Sequence, residues 1–268
     1  MGTATINGEL WGARAEPWSR IQEGQVLPLY EAVFEAVGLR GGTALLDAGC
    51  GSGLALQLAT KRGAVGTGLD ASAALIDIAR RSVPHADLRV GELEDLPYPE
   101  DSFDVATAFN SVQYAGDPGR ALSELARVVM PGGLVAVATW GQPQDCQITA
   151  VLGAVMPLMP PPPPDAPHEG PFSLSEPGRL ESFVSAAGLE PVATREVDCP
   201  MVYPDVETAL RGQESPGVLV MAARHAGEQV VAEALRGSLG QFVQADGSVR
   251  IANTFRFIVA SAGGPSHV

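Results

Sequence analysis

The chain has 268 residues, with 17 basic and 31 acidic side chains, so its formal net charge is −14 at pH 7. A field of that sign repels phosphates over the ~8 Å Debye length of physiological salt, which argues against a nucleic-acid partner. Apolar residues make up 46% of the chain and charged residues 18%. This composition excludes a disordered protein and fits one large domain with an insertion or a cap.

The sequence has no segment that is typical of a membrane-spanning or exported protein. No apolar run approaches the ~20 residues of a membrane span, and the first residues lack the basic and apolar regions of a signal peptide. Cys50, Cys146 and Cys199 are too few and too far apart for a disulfide framework or a zinc site. We therefore expect a cytoplasmic protein with no metal and no membrane partner. A homodimer is left open.

Hydrophobic periodicity predicts alternating helices and strands over the first half of the chain. An amphipathic helix over residues 26–37 precedes a short strand, Ala44 to Leu46, which leads into a glycine turn and a second helix. Ser72 and Asp117 are predicted to cap the next helices. Further strands are predicted at 65–69, 87–90, 103–109 and 134–139, the last of them after a turn at 130–133. Such alternation predicts a doubly wound parallel sheet with right-handed crossovers.

The second half of the chain is predicted to differ. Five consecutive prolines, 160–164, are typical of a stiff surface connection. Ser175 is predicted to cap a helix that ends at Gly188, and residues 205–243 are predicted to be helical. Residues 253–260 alternate and then become apolar, which predicts a last strand. The simplest account is an insertion of helices between two late strands.

The segment most informative about function is LLDAGCGSG, Leu45 to Gly53, which is followed 17 residues later by Asp70 at a strand end. Glycines after a first strand let a ligand approach the backbone, and a carboxylate that ends the second strand can accept both hydroxyls of a ribose. A nucleoside-containing cofactor is therefore expected. Leu54 and Asp47 argue against a dinucleotide, because the first replaces a required glycine and the second would repel a pyrophosphate. A cationic ligand is favoured there by roughly a few kcal/mol.

These motifs resemble those of the class I S-adenosylmethionine (SAM) dependent methyltransferases, in particular the type 11 enzymes similar to those of ubiquinone and menaquinone biosynthesis. The resemblance covers residues 43–140 most closely, and it includes the acidic loop 91–104 and the MPGG segment 130–133. It implies SAM as the cofactor and a Rossmann-like α/β fold, with a seven-stranded, mostly parallel sheet and an antiparallel last strand. The implied cofactor contacts are Asp47, Gly49 and Gly51 at the methionyl part, Asp70 and Ala71 at the ribose, Glu92 and Leu93 at the adenine, and Asn110 near the methyl end.

The resemblance also predicts how the chain is divided. Residues 1–42 are expected to form a lid of helices, 43–204 the SAM-binding core, 205–252 a helical cap and 253–268 the last strand of the core. The lid and the cap would then enclose a pocket for a small, apolar acceptor of the kind found in secondary metabolism. Most carboxylates of the acidic loop are expected to be solvated, and only Glu92 is assigned a role.

Candidates for a general base are Tyr114, which follows a strand end, and His225, which lies in the helical insertion, with His168 as a third. Methyl transfer by SN2 displacement does not require a strong base, because aligned approach alone can contribute ~7 to 11 kcal/mol. Cys50 is expected to pack inside the glycine turn and not to act as a nucleophile. Two alternatives remain open: a nicotinamide-dependent oxidoreductase, and a SAM-binding protein of the same fold without turnover.

Overall fold

The computed structural model describes residues 3–161 and 170–263. Its strands are β1 Ala44–Ala48, β2 Val65–Asp70, β3 Asp87–Val90, β4 Phe103–Phe109, β5 Val129–Trp140, β6 Leu189–Asp198, β7 Met201–Tyr203, β8 Val249–Ile251 and β9 Thr254–Ala262. Its α-helices are α1 Ala4–Gly12, α2 Ala15–Pro17, α3 Leu27–Ala36, α4 Leu54–Lys61, α5 Ala73–Ser82, α6 Pro118–Val128, α7 Ile148–Val155, α8 Arg179–Ala186, α9 Val206–Gln213, α10 Gly217–Ala226 and α11 Glu228–Leu239. Short π and 3-10 helical turns connect several of them, including Trp18–Gln22, Glu23–Val26 and Val112–Tyr114.

The main sheet has seven strands in the order β3-β2-β1-β4-β5-β9-β6. Strand β9 runs antiparallel to both β5 and β6, and the other neighbouring strands are parallel. The α/β fold with an antiparallel last strand is therefore confirmed. Strand β1 lies between β2 and β4, so the chain leaves β1 in one direction and later returns to its other side. In open α/β sheets this switch in direction opens a crevice at the carboxyl ends of the strands, where ligands bind.

The helices on the sheet begin where local side chains can satisfy their first backbone N–H groups. Ser72 Oγ accepts a hydrogen bond of 3.3 Å from Leu75 N at the start of α5. Asp117 Oδ1 accepts one of 2.9 Å from Arg120 N at the start of α6, where Pro118 occupies the first turn. Both predicted caps are confirmed, and each cap contributes about 1 kcal/mol to helix stability.

Two local predictions are wrong. The segment 130–133 is a bulge inside β5 and not a turn before it: Phe103 pairs with Val129, while Val105 pairs with Leu134. The helix α8 starts after Gly178, whose φ is +80°, and Ser175 does not cap it, because its hydroxyl donates to the Phe172 carbonyl at 2.7 Å. In the first case the pairing of β5 with β4 overrides the local preference of the four residues for a turn. In the second case the Ser175 hydroxyl is bonded to the Phe172 carbonyl and is not available to cap α8.

The predicted helical segment 205–243 is confirmed as α9, α10 and α11, which lie between β7 and β8 in the chain. These two strands pair antiparallel and form a separate two-stranded sheet. Helix α1 packs against α10 and α5, and α11 packs against α7. The N-terminal segment and the inserted helices therefore meet above the main sheet. Across the described residues, none of the helices combines the length and apolar character needed to cross a bilayer.

The central strands of the sheet are buried on both faces, as their apolar residues require, whereas the edge strands β3 and β6 are largely exposed. Consecutive residues of β1 belong to different cores: Leu45 lies in the core under α3, α4 and the inserted helices, and Leu46 in the core under α6 and α8. Both side chains have no exposed surface. Because a core packs against each face of β1, the carboxyl ends of β1, β2 and β4 are held in fixed positions relative to one another.

Candidate active site

A deep cleft lies at the carboxyl ends of β1, β2 and β4. It encloses about 1370 Å³, including the space at its open mouth. One half of the cleft, the cofactor half, is formed by the glycine loop 49–53, the end of β2, the loop 91–94 and the turn 110–111. The other half, the acceptor half, is lined mainly by apolar and aromatic residues of α3, α7, α10 and β9.

The glycine loop has no backbone N–H group left for a phosphate. Gly49 N and Cys50 N both donate to the Leu69 carbonyl, at 2.7 and 3.0 Å, and Gly53 N donates to the Cys50 carbonyl. The two remaining N–H groups donate to carboxylates: Gly51 N to Asp70 Oδ2 and Ser52 N to Glu23 Oε1, each at 2.9 Å. A pyrophosphate bound at a helix N-terminus needs such groups free. The loop therefore does not fit a dinucleotide.

Close packing explains why the loop contains glycine. Gly49 and Gly51 have φ values of +83° and +55°, in the left-handed region that disfavours residues with a Cβ. A Cβ on Gly49 would lie 2.3 Å from Ser111 Cβ, and one on Gly51 would lie 2.6 Å from Glu23 Oε1. Both glycines line the cleft. The loop thus presents bare backbone to a ligand, while the turn after β4 and the N-terminal segment pack against it.

Asp70 ends β2 and lines the cleft, as predicted for a residue that binds a ribose. Its carboxylate accepts hydrogen bonds from Gly51 N at 2.9 Å and from Ser72 N at 2.8 Å, one on each oxygen. Burial raises the pKa of Asp70, and the backbone N–H groups partly oppose that effect. Each oxygen keeps lone-pair capacity for a further donor, so the carboxylate can accept two ligand hydroxyls.

Asp47 lies below the cleft and not on its wall. It is 2% exposed, accepts a hydrogen bond of 2.8 Å from Thr107 Oγ1, and does not line the cavity among the described residues. Burial raises the pKa of Asp47 to about 7, and the nearby Asp70 adds to the rise. Its predicted contact with the methionyl part of SAM would therefore act through the electrostatic field across the loop and not through a direct hydrogen bond.

Glu23 is a third buried carboxyl group at the loop, and the sequence motifs do not predict it. It is 3% exposed, and it binds Ser52 through both the backbone N–H and the side-chain hydroxyl. Burial raises the pKa of Glu23 to about 7, and the charges of Asp47 and Asp70 contribute. Glu23 lies outside the motif, 29 residues before Ser52. Only the path of the N-terminal segment brings it to the loop.

The N-terminal segment covers the cofactor half of the cleft. Gly8 packs directly on the carbonyl of Ala71, since a Cβ at position 8 would lie 2.3 Å from that oxygen. Asn7 Nδ2 donates to the Tyr114 carbonyl at 2.7 Å, and Ala4 N donates to the Glu92 carboxylate at 3.3 Å. Ala71, Glu92 and Leu93 all line the cleft beneath this cover. The structure thus brings the predicted ribose and adenine residues together under α1.

Most carboxylates of the acidic loop are exposed or half-buried, as predicted, but one that the sequence did not single out is buried. Glu94 is 8% exposed and lines the cleft. Its Oε1 accepts hydrogen bonds from Gly116 N at 2.7 Å and from Asp117 N at 3.2 Å. The pattern of alternating acidic residues did not distinguish it from its exposed neighbours, because its partners lie 22 residues further along the chain.

Asn110 follows β4 and lines the cleft at the junction of its two halves. Its φ of +52° is unusual for a residue with a side chain, and such backbone strain is often found at functional sites. The side chain of Gln113 donates to Asn110 Oδ1, and the next residue, Ser111, donates its hydroxyl to the Ala48 carbonyl at 2.7 Å. These bonds hold the turn against the glycine loop, close to the predicted methyl end of the cofactor.

Tyr114 and His225, the first two candidates for a general base, have different positions. Tyr114 lines the cleft and packs edge-on against Trp11, with ring centroids 5.5 Å apart. Burial raises the pKa of Tyr114 to about 12, so its hydroxyl is protonated at neutral pH and is unsuited to act as a base. His225 is exposed near the end of α10 and is not among the residues that line the cleft, so the structure does not bring it to an acceptor. The third candidate, His168, lies outside the described residues, as do the prolines 162–164.

The acceptor half is apolar and aromatic. Its walls include Tyr30, Phe109 and Trp140, and the rings of Tyr30 and Phe109 meet edge-on with centroids 4.6 Å apart. Among the described residues that line the whole cleft, the charged ones are Asp70, Glu92 and Glu94, and all three lie in the cofactor half. The charge of the cleft is therefore entirely negative and entirely at one end.

The cofactor half fits SAM on three observations. Asp70 can accept ribose hydroxyls, and the surrounding carboxylates favour a ligand that carries an ammonium and a sulfonium. Trp18 Nε1 is buried beside Gly51 and has no hydrogen-bond acceptor in the described chain. A buried donor without a partner is unfavourable, and the carboxylate of a methionyl group could accept from it. Asp70, Gly49, Gly51 and Trp18 are the residues that would hold the cofactor.

Comparison with known proteins supports this assignment. Residues 46–137 match the family model of a methyltransferase domain. The chain is 32% identical over 146 residues to the ubiquinone biosynthesis O-methyltransferase of Alkalilimnicola ehrlichii, a match that covers 49% of this chain and 58% of that protein. The chain thus spans less than two thirds of the length of this relative.

Solved structures share the fold over most of the chain. The [4+2]-cyclase SpnF aligns with a TM-score of 0.58 and 21% identity, covering 91% of this chain and 85% of its own. The geranyl diphosphate C-methyltransferase of Streptomyces coelicolor A3(2), solved with S-adenosyl-L-homocysteine, aligns with a TM-score of 0.51 and 19% identity, covering 87% and 78%. Residues 46–137 therefore match a methyltransferase domain, and most of the chain shares the fold of these solved structures.

Proposed function

We propose that this protein transfers a methyl group from SAM to a small, apolar acceptor by SN2 displacement. The observation that carries the proposal is the division of one continuous cleft into a negatively charged half and an apolar half. The first suits a cationic cofactor that contains a ribose, and the second suits an uncharged organic molecule. Asn110 and Tyr114 lie where the halves meet, which is where a methyl group would pass from one ligand to the other.

In this mechanism the protein acts mainly by positioning. SAM supplies an electrophilic methyl group on a sulfonium. Asp70 binds the ribose, Gly49 and Gly51 allow the ligand to approach the backbone, and α1 closes over both. The apolar walls exclude water, so the acceptor is held in one orientation and is not replaced by a solvent molecule.

The described residues of the acceptor half supply no strong base. Because the pKa of Tyr114 is raised to about 12, its hydroxyl can donate a hydrogen bond but does not take a proton at neutral pH. Aligned approach can contribute ~7 to 11 kcal/mol without proton transfer. We therefore propose that Tyr114 orients the acceptor or the cofactor and that catalysis does not depend on a histidine of α10.

The oxidoreductase alternative is disfavoured by the glycine loop. Its five backbone N–H groups at positions 49–53 are all bound within the protein, two of them to carboxylates. A nicotinamide dinucleotide would place its pyrophosphate against these carboxylates. Binding of SAM but not of NADH would exclude the oxidoreductase alternative.

The test has a binding step and a turnover step. Isothermal titration should show that SAM binds the wild type, and that Asp70→Ala weakens binding by roughly 100-fold, because two hydrogen bonds to a charged group are lost. Asp77→Ala is the matched control, since Asp77 is an exposed carboxylate of α5 that pairs with Arg80. Unchanged binding in Asp70→Ala would refute the site assignment.

Turnover separates an enzyme from a SAM-binding protein. Methyl-labelled SAM should transfer its label to at least one member of a panel of apolar phenols, alcohols and amines. Transfer to any acceptor excludes the binding-protein alternative. Tight SAM binding with no transfer to any compound in the panel or in an extract would favour it.

We also propose that residues 1–42 act as the lid, 205–252 as the cap, and 43–204 with 253–268 as the core. The contacts of α1 with Ala71 and of α10 with α1 support this division. A cytoplasmic location is proposed from the cysteines, since Cys50, Cys146 and Cys199 are all buried and unpaired. Whether the protein forms a homodimer is a matter for sedimentation or light scattering.

A further inference from the structure

The acceptor half of the cleft contains a polar cluster that the proposed mechanism does not use. It joins Gln22 of the N-terminal segment and Gln213 at the end of α9 to Tyr203 and Met201 of β7. All four side chains are buried, with exposures of 5%, 2%, 1% and 3% in that order. Gln22, Gln213 and Met201 line the cleft. Polar groups buried in an apolar cavity are expected to have hydrogen-bond partners, so a polar atom of this cluster without a good partner indicates a ligand.

The hydrogen bonds of the cluster have a direction. Gln213 Nε2 donates to Tyr203 Oη at 2.8 Å, and Tyr203 Oη in turn donates to Gln22 Oε1 at 2.8 Å. This chain fixes the orientation of both amides, because it uses the NH2 group of Gln213 and the carbonyl oxygen of Gln22. What remains is the carbonyl oxygen of Gln213 at one end and the NH2 group of Gln22 at the other.

Both remaining groups are poorly satisfied by the protein. Among the described residues, the acceptor of Gln22 Nε2 is the Met201 sulfur, at 3.6 Å, and a thioether is a weak acceptor. Gln213 Oε1 accepts no hydrogen bond from any described residue. The cleft therefore presents one unused acceptor and one weakly used donor on residues of the same wall.

The cluster is held rigidly. Gly212 lets α9 approach the N-terminal segment, since a Cβ there would lie 2.9 Å from Gln22 Oε1 and 3.0 Å from Tyr203 Cε1. Gln22 and Gln213 are thereby locked across an interface between the two segments that cover the sheet. A preorganised pair of this kind selects a ligand group at little entropic cost.

A hydroxyl is the smallest group that both donates and accepts a hydrogen bond, and it matches this pair. An ionised carboxylate or phosphate does not, because the charged residues among the described lining are all acidic and no described cation of the lining could pair with an anion. We propose that Gln22 and Gln213 bind a neutral hydroxyl group of the acceptor, so that the substrate is an uncharged, largely apolar alcohol or phenol. The proposal rests on the proposed function in taking this half of the cleft as the acceptor site.

Binding of three matched probes tests the proposal without requiring turnover. The probes are 2-naphthol, 2-methylnaphthalene and 2-naphthoate, which share the ring system and differ in a hydroxyl, a methyl and a carboxylate. Affinities are measured on the SAM-saturated protein by quenching of tryptophan fluorescence, since Trp140 lines the acceptor half. The wild type should bind the naphthol about tenfold more tightly than the methyl compound, the effect of about one net hydrogen bond, and should bind the naphthoate least.

Variants identify the residues responsible. Gln213→Met and Gln22→Met should each reduce the preference for the naphthol to less than threefold while leaving SAM affinity unchanged. Leu219→Met is the matched control, because it alters the same cleft without removing a polar atom and should keep the preference. Thermal unfolding of each variant shows that it is folded.

The outcomes distinguish this proposal from the one before it. Equal affinity of the wild type for the two neutral probes, no binding of either, or a preference that survives in both glutamine variants would overturn the hydroxyl site. Failure of the wild type to bind SAM would instead overturn the proposed function. Tighter binding of the naphthoate than of the naphthol would show that the cavity takes anions and would refute the neutral-acceptor assignment.

Discussion

The two halves of the cleft are built in different ways. The cofactor half consists of backbone groups and carboxylates that lie close together in the sequence, from Gly49 to Asp70, with further residues at 91–94 and 110–111. The acceptor half is assembled from side chains of the N-terminal segment, α7, α9, α10 and β9, which are more than 200 residues apart at the extremes, as from Tyr30 to Phe255. The first half depends on backbone conformation, and the second depends on packing. Substitutions in the two halves should therefore affect different ligands and different aspects of stability.

The largest effect is expected from Gly49→Ala. The new Cβ would lie 2.3 Å from Ser111 Cβ, on a backbone whose φ is +83°, so both overlap and conformational strain oppose it. We expect the free energy of unfolding to fall by at least ~2 kcal/mol more than in Gly178→Ala, and SAM binding to be lost. Gly178 is the matched control because its φ is +80° and a Cβ there meets no atom within 4 Å. Equal losses in both variants, measured by chemical denaturation, would show that the close contact with Ser111 does not matter.

An intermediate effect on the free energy of unfolding is expected when the pH is raised from acidic to neutral. Burial raises the pKa of Glu23 and of Asp47 to about 7, from ordinary values near 4.5 and 3.8. A carboxyl group whose pKa is raised on folding contributes its full stability at low pH and loses it as pH rises through the folded value. The wild type should therefore become less stable between about pH 4.5 and pH 7.5, with each group contributing on the order of 1 to 3 kcal/mol.

Glu23→Gln should remove part of this pH dependence, since the amide is similar in shape and does not titrate. Thermal unfolding scans from pH 4.5 to pH 8 would measure the difference between the two profiles. Gln22→Met, in the acceptor half, should keep the slope of the wild type. A Glu23→Gln profile parallel to that of the wild type would mean that Glu23 is not the titrating group.

The smallest effect is expected from Gly8→Ala in the lid. Its Cβ would lie 2.3 Å from the Ala71 carbonyl oxygen and would lift α1 from the turn at which we propose that the ribose binds. SAM should then dissociate several-fold faster, because α1 no longer covers the cofactor half. The free energy of unfolding, measured by chemical denaturation, should change by less than ~1 kcal/mol. Gly24→Ala is the control, since a Cβ at that position of the same segment has no atom within 4 Å. Stopped-flow displacement of SAM would measure the rates, and identical rates would argue against a lid.

The fold and the cofactor half could largely be predicted because they depend on local signals. A strand that ends in a glycine turn and a second strand that ends in Asp70 must bring both ends to one edge of a parallel sheet, whatever the rest of the chain does. The caps at Ser72 and Asp117 are local in the same sense. The MPGG segment misled the prediction, because its pairing with β4 is a property of the sheet and not of the four residues.

The acceptor half and the supporting groups could not be predicted in this way. Glu23 does not belong to a recognisable sequence motif. Glu94 is one of several acidic residues in a segment that is typical of a solvent-exposed loop. His225 was correctly placed in a helix, but its helix turns that side chain to solvent. In each case the decisive fact is which distant segment packs against the residue.

By itself the sequence determined the α/β fold, the resemblance to the SAM-dependent methyltransferases and the position of the proposed ribose residue Asp70 at a strand end, since these follow from the periodicity and from short motifs with fixed backbone geometry. Only the tertiary structure decided that Asp47 is buried below the cleft, that Glu23 binds Ser52 of the glycine loop, and that Gln22 and Gln213 line the same wall of the acceptor half. The reason is physical: backbone conformation is encoded over a few residues, whereas a cavity is defined by side chains that the chain brings together only when it is folded.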